Sequence, residues 1–263
     1  SIAEPMTAGK AGMEMIQNVF RRKGDESMKK GEGACLVCGK PLIYFQSPQK
    51  LVCIRCGNTF KARCSCEDGH YICDKCHLEQ GVDRCLDFCL SCESKNPIEI
   101  LEAMMADPYV HMHGPEHHVL VGMALLTAVH NAGADTDLKS TLLQMRTRGR
   151  EYPGGSCGFW GCCGAAVSAG MYMSILTQAT PLSKESWGWS NAVTARCLKQ
   201  IAALGGPRCC KRNSYTAILA AAQYTREILG IELPLPDKVH CSYFPENREC
   251  KGMSCPYFPG KRN

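Results

Sequence analysis

Twenty of the 263 residues are cysteine, and they fall into two blocks with different chemistry. Eleven crowd into residues 35–92, mostly as C-x2-C pairs. Cys35-x2-Cys38 and Cys53-x2-Cys56 are each followed by a glycine, Gly39 or Gly57, which lets the backbone turn and aim N–H groups at the sulfurs. Four thiolates in tetrahedral array close a structural zinc site with no open position. A second set follows, Cys66-x3-His70-x2-Cys73-x2-Cys76, with Cys64 and His77 as spares. Three thiols and an imidazole again suit zinc. Spacing leaves open whether the two sites are sequential or cross-braced. A RING-type reading would use Cys53, Cys56, Cys66, His70, Cys73, Cys76, Cys89 and Cys92 and would orphan Cys35 and Cys38. Cys85, Cys89 and Cys92 otherwise form a third partial site or are buried thiols. One or two zinc ions would supply folding energy to a module too small for its own core.

The other nine cysteines are Cys157, Cys162, Cys163, Cys197, Cys209, Cys210, Cys241, Cys250 and Cys255. Several stand beside glycine-rich helix starts, where thiolates are favoured and a bulky group can approach the backbone. Cys157, Cys162 and Cys163 punctuate a Gly-rich run that leads into small residues. Cys209 and Cys210 follow Gly205-Gly206-Pro207-Arg208 and precede Lys211-Arg212-Asn213, basic neighbours able to offset an anionic cluster or hold a carboxylate. Cys241, Cys250 and Cys255-Pro256 lie on an irregular tail that can fold over an iron–sulfur cluster, with a third zinc site as the competitor. His111, His113, Glu116, His117 and His118 occupy eight consecutive positions. His113 and His117 are four apart, with Glu116 close by, which points to proton transfer, metal ligation or a substrate clamp at a helix start.

The elements that must position these groups are mainly helical. Apolar residues recur at helical spacing over residues 97–106, and residues 115–131 are apolar nearly all round, which predicts a central buried helix. Further helices are expected near 137–148, 164–178, 191–204 and 214–229. The organisation expected is an arm and linker at 1–34 with a short helix over 11–22, a zinc-ribbon-like module at 35–95, and an α-helical cluster-binding domain at 96–263. No apolar run reaches ~18 residues and no basic-then-apolar leader opens the chain, so the cysteines are expected to be thiolates in a reducing cytoplasm with no membrane attachment. A net charge of +5 is too mild to argue for nucleic acid. The local basic clusters are a solvated surface or a docking patch for an anionic partner.

The phrases His113-Gly-Pro-Glu-His-His118, Cys157-Gly-x-Trp-Gly-x-Cys163-Gly-Ala-Ala and Gly206-Pro-Arg-Cys-Cys-Lys-Arg212 resemble those of a prokaryotic family of unknown function. A more distant similarity is to iron–sulfur L-serine dehydratases and L-cysteine desulfidases. Pro207-Arg-Cys209-Cys210-Lys-Arg212-Asn213 resembles their second cluster segment, and Cys157-Gly158 or Cys163-Gly164 their first. The doubled Cys209-Cys210 and the missing Cys-Asp-Pro element depart from that pattern. The resemblance implies a [4Fe-4S] cluster on Cys157 or Cys163 with Cys209 or Cys210, the tail supplying a third ligand, and one iron open to substrate. The expected function is a cluster-dependent enzyme acting on a small anionic substrate by elimination, desulfuration or sulfur transfer. His113, Glu116 or His117 would move the proton, and Arg208, Lys211 or Arg212 would hold the anion. An electron-transfer or cluster-delivery protein, docking on a redox or sulfur partner through the arm and zinc module, is the alternative; a structural zinc adaptor is the third reading.

Overall fold

Residue 35 and residues 37–260 are described by a computed structural model. The expected helix over 11–22 lies outside the described residues. Among those described, about half are helical, in eight α-helices beside one two-stranded sheet. They form two compact units. The first runs to Gly81 and includes Asp107–Tyr109; the second comprises Val82–Ala106 and the chain from Val110 onward.

In the first unit, β1 (Leu42–Val52) and β2 (Thr59–Cys66) form an antiparallel hairpin, in register from Leu42↔Cys66 to Val52↔Thr59, with a bulge between Tyr44 and Gln49. The turn that joins them carries Cys53 and Cys56. Its backbone closes through Gly57 N–H to Cys53 O at 2.8 Å and Cys53 N–H to Asn58 O at 2.9 Å. The same pattern precedes β1, where Gly39 donates to Cys35 O and Cys35 to Lys40 O, both at 2.7 Å. Both turns need a left-handed residue, and glycine supplies it at φ 73° for Gly39 and 70° for Gly57.

α1 (Asp74–Ser91) was not foreseen, and the first compact unit ends within it, at Gly81. Its later turns bury Val82, Cys85, Leu86, Phe88 and Cys89 in the helical unit. Cys85 and Cys89 are buried thiols there: Cys89 Sγ lies 3.6 Å from Met104 Sδ, and burial pushes its pKa up to about 12.

The second unit is built around α3 (His117–Asn131), which is buried from Val119 to Val129, as its all-round apolar sequence requires. α2 (Pro97–Met105), α4 (Leu138–Glu151), α6 (Gly164–Leu176) and α8 (Cys210–Leu229) all pack against it, and α7 (Glu185–Leu204) covers α6 and α8. Polar caps set the starts of two of these helices: Asn96 accepts from Ile98 and Glu99, and Asp137 from Ser140. α7 begins six residues earlier than expected and α8 four earlier, which places Lys211 and Arg212 within the helix. α5 (Ser156–Phe159) is one short turn in the Gly-rich loop, and a 3-10 turn at Gly252–Ser254 is the sole regular element among the described residues of the tail. No helix among the described residues is long and apolar enough to cross a membrane.

Candidate functional site

The eight ligands expected for zinc are all present in two sets, but the partition differs from the sequential one. Cys35, Cys38, Cys66 and His70 form one set, and Cys53, Cys56, Cys73 and Cys76 the other; within each, the ligand atoms lie within 4.8 Å of one another. The pairs therefore alternate along the chain, a cross-brace. The physical reason is the hairpin: the first pair precedes β1 and meets Cys66 at the end of β2, while the second pair rides on the far turn and meets the start of α1. A tetrahedral metal with metal–sulfur bonds of about 2.3 Å requires sulfurs about 3.8 Å apart. Cys38 and Cys66 are 3.8 Å apart and Cys56 and Cys73 3.9 Å, and His70 Nδ1 sits 3.4 Å from both Cys38 and Cys66 sulfurs. The donor set fits a metal ion such as zinc. Burial alone would raise the Cys53 thiol, but backbone N–H groups of Cys73, Cys56 and Arg55 outweigh it and bring the pKa to about 6. The same opposition, with N–H donors from His70 and Asp68, brings Cys66 to about 7. Both are poised to bind as thiolates. Cys64 and His77 belong to neither set.

In the helical unit, three sequence-distant motifs meet at three helix N-termini. α8 starts at Cys210, whose N–H points to His113 Nδ1 at 3.4 Å. α6 starts after Cys163, whose sulfur accepts from Asn213 Nδ2 at 3.4 Å. Gly164 lies so close to His118 that an added Cβ would stand 2.1 Å from its ring. That ring is fixed in turn by donating from Nδ1 to Tyr152 O at 3.1 Å. Burial raises the Cys210 thiol to about 12, and the charges of Cys163, Cys209 and Cys157 add to the rise. Cys163 and Cys210 stand at the starts of two helices that pack together, and Cys157 lies on the short turn that leads toward the first of them.

The imidazoles have defined states. His113 Nδ1 accepts from Cys210, so its Nε2 carries the proton and donates to Asn247 Oδ1 at 3.1 Å, with Glu249 3.4 Å away. His117 is buried and donates from Nδ1 to Gly114 O, which leaves Nε2 with no hydrogen-bond partner among the described residues. Burial, reinforced by the Lys211 charge, holds its pKa well below the usual histidine value, so the ring is neutral. Glu116 is buried and pairs with His111 Nδ1 at 2.6 Å.

The three basic residues expected to hold an anion, Arg208, Lys211 or Arg212, make different contacts. The Arg212 side chain donates to Gly205 O at 2.8 Å and Pro207 O at 2.9 Å, tying the loop to the helix. Lys211 is buried, with Nζ 4.6 Å over the Tyr243 ring. Arg208 is half exposed and faces Glu249 at 3.7 Å. Cys209 separates from its neighbour Cys210: it caps α8 by accepting the Arg212 N–H at 3.4 Å and lines a cavity with Cys241, Cys250 and Cys255. Asn247, which sequence reasoning missed, bridges the two sides by also donating to Cys209 Sγ at 3.5 Å. Nothing in the sequence marks it; Asn213 and Tyr152 at least stand within or beside the motifs.

Fold and site together define an α-helical domain with thiol- and imidazole-lined helix starts, preceded by a cross-braced cysteine module built to hold metal. Residues 85–258, about two thirds of the chain and nearly all within the helical unit, match a family of unknown function, DUF5714, and the chain belongs to that family. Neither a curated protein nor a solved structure matches the chain.

Proposed function

We propose that the helical unit is an iron–sulfur-dependent enzyme acting on a small anionic substrate by elimination, desulfuration or sulfur transfer, with Cys157, Cys163 and Cys210 holding the cluster. The observation that carries this reading is the convergence of three distant motifs at three helix N-termini, joined by bonds from Cys210 to His113 and Asn213 to Cys163. The donor set fits: three soft thiolates suit an iron–sulfur cluster and leave one position open. Bound there, such a cluster supplies a Lewis-acidic iron for a hydroxyl, thiol or sulfide group. The resemblance of Pro207–Asn213 to a segment of iron–sulfur dehydratases and desulfidases, which rests on those residues alone, points to the same chemistry.

The chain's own groups divide the remaining work. The neutral His117 offers an unprotonated Nε2 as proton acceptor, and His113 holds a proton on Nε2 that Asn247 and Glu249 orient. Helix N-termini favour an anionic group through their unpaired N–H donors. Arg208 is the cation with the greatest exposure to incoming substrate among the three expected. The N-terminal module, whose closed sets leave no position for substrate, is structural or a docking element. Its exposed Tyr44 and Ile43 favour docking, and the second reading is an accessory protein that delivers electrons or clusters to a larger enzyme.

The test is iron, zinc and acid-labile sulfide per chain on anaerobically purified protein, with EPR after reduction in the presence and absence of small hydroxy- and thiol-carboxylates. The proposal expects iron and sulfide to fall in Cys163→Ser and Cys210→Ser, and the carboxylates to shift the parent's signal. Variants that keep all their iron would sink it.

A further inference from the structure

Residues 231–260 leave α8 and, apart from the one 3-10 turn, contain no regular secondary structure. A segment of that length inside a packed unit needs something to fold around. The tail is nonetheless held at many points. Cys241 N–H donates to Tyr257 O at 2.7 Å, Tyr257 and Thr216 hydroxyls meet at 2.9 Å, and Lys251 Nζ donates to Leu204 O at 2.6 Å. Phe244 and Phe258 pack edge-on with centroids 4.9 Å apart.

What this architecture gathers is sulfur. Cys209, Cys241, Cys250 and Cys255 line one cavity, whose wall also holds the buried Lys211 and its ring partner Tyr243. The four thiols face that one space from the start of α8 and from three points along the tail. Yet no three of their sulfurs close to within 4.8 Å of one another, as the ligands of both N-terminal sets do. One tetrahedral ion would draw them into that range. A polynuclear cluster spreads its thiolate ligands around a larger body, which suits four sulfurs that line one cavity without closing to that range. The surroundings suit it too. Arg212 and Gly252 N–H groups point at Cys209 and Cys250 sulfurs, both at 3.4 Å, and Asn247 Nδ2 at Cys209. Such N–H···S bonds stabilise an anionic cluster, and a buried lysine beside it offsets its charge.

We propose that Cys209, Cys241, Cys250 and Cys255 hold a second [4Fe-4S] cluster, ligated by four thiolates and separate from the open site on Cys157, Cys163 and Cys210. With no iron open it takes no substrate; it fixes the tail over the start of α8 and, through Asn247, the position of His113. This inference does not need the open-site reading to hold. The vicinal Cys209-Cys210 pair then serves two centres, one sulfur to each.

The experiment measures iron, sulfide and zinc per chain in anaerobic full-length parent, Cys250→Ser, Cys255→Ser and Cys163→Ser. The tail variants are expected to lose about half of the parent's iron and sulfide with zinc unchanged, and Cys163→Ser to lose the other half. Tail variants that keep all their iron, or that lose one zinc instead, overturn the proposal. Tail variants that lose all iron while Cys163→Ser loses none leave this cluster standing and remove the open-site reading. Should the tail variants fail to fold, the parent decides: two reduced EPR signals, of which Cys157→Ser abolishes one, support the second cluster, and loss of every signal in Cys157→Ser refutes it.

Discussion

Replacing Gly164 by alanine tests the convergence of motifs directly. In an ordinary helix the added methyl stabilises by roughly 0.5–1 kcal/mol, because glycine loses more backbone entropy on folding. At Gly164 the same Cβ would stand 2.1 Å from His118 Cδ2 and 2.4 Å from Nε2, well inside contact distance. The ring has nowhere easy to go. Swinging it away breaks the hydrogen bond to Tyr152 O, worth roughly 1 kcal/mol, and its edge-on contact with the Tyr152 ring at 5.2 Å, worth roughly 0.5–1.5 kcal/mol. Leaving it in place forces overpacking at a cost of about 1–3 kcal/mol. Less the helical gain, either route leaves a net destabilisation of about 0.5–2 kcal/mol. Urea unfolding followed by tryptophan fluorescence is the assay, since Trp160, Trp187 and Trp189 all belong to the helical unit. The midpoint should fall with the slope unchanged. Gly188→Ala is the control: it lies inside α7 with nothing within 4 Å of a built Cβ, and should gain roughly 0.5–1 kcal/mol. A Gly164→Ala protein as stable as its parent would refute the close approach of α6 to His118 on which the site rests.

Three further outcomes are expected. Cys66→Ala should cost the protein both metal ions of the N-terminal module, measured as zinc per chain, because each set shares the hairpin with the other; loss of a single ion would show independent sites. Cys89→Ala should leave every metal count unchanged while lowering stability by about 1–2 kcal/mol through a lost buried contact, and any fall in metal content would mean that it is a ligand. Burial depresses the pKa of His113, His117 and His118 below 6.5, so in acid the unfolded chain binds protons that the folded chain does not. Stability of the helical unit is therefore full above about pH 6.5 and declines as pH falls below it, a slope readable from urea midpoints and flatter in His118→Gln.

How much of this was legible in the sequence depended on the length scale of each signal. A C-x2-C pair with its glycine states half a metal site, so all eight ligands of the N-terminal module could be named. Which halves join is decided by hairpin register, and no residue near Cys35 or Cys53 encodes that. Val82, Cys85, Leu86 and Cys89 carry helical spacing, but cysteine invites reading as ligand before reading as core, and α1 was missed for that reason. α3 was plain because fifteen residues repeat one message. The divergence of Cys209 from Cys210 could not be read, since adjacent residues at a helix start differ in direction only once the helix start is placed. Asn247 gave no local signal, because its partners are more than thirty residues away in sequence.

The alternation of ligands in the N-terminal module has a consequence for how it responds to supply. An ion bound by Cys35, Cys38, Cys66 and His70 closes a loop that contains Cys53 and Cys56; an ion on Cys53, Cys56, Cys73 and Cys76 closes one that contains Cys66 and His70. Whichever ion arrives first has already restricted the chain that the second must gather. Binding of the two is then mutually reinforcing, with a coupling on the order of 1–3 kcal/mol, and half-filled chains are scarce. With both sets loaded in this way, occupancy would rise with free metal more steeply than a single site allows, and the module would fill across a narrow band of metal concentration, as a threshold.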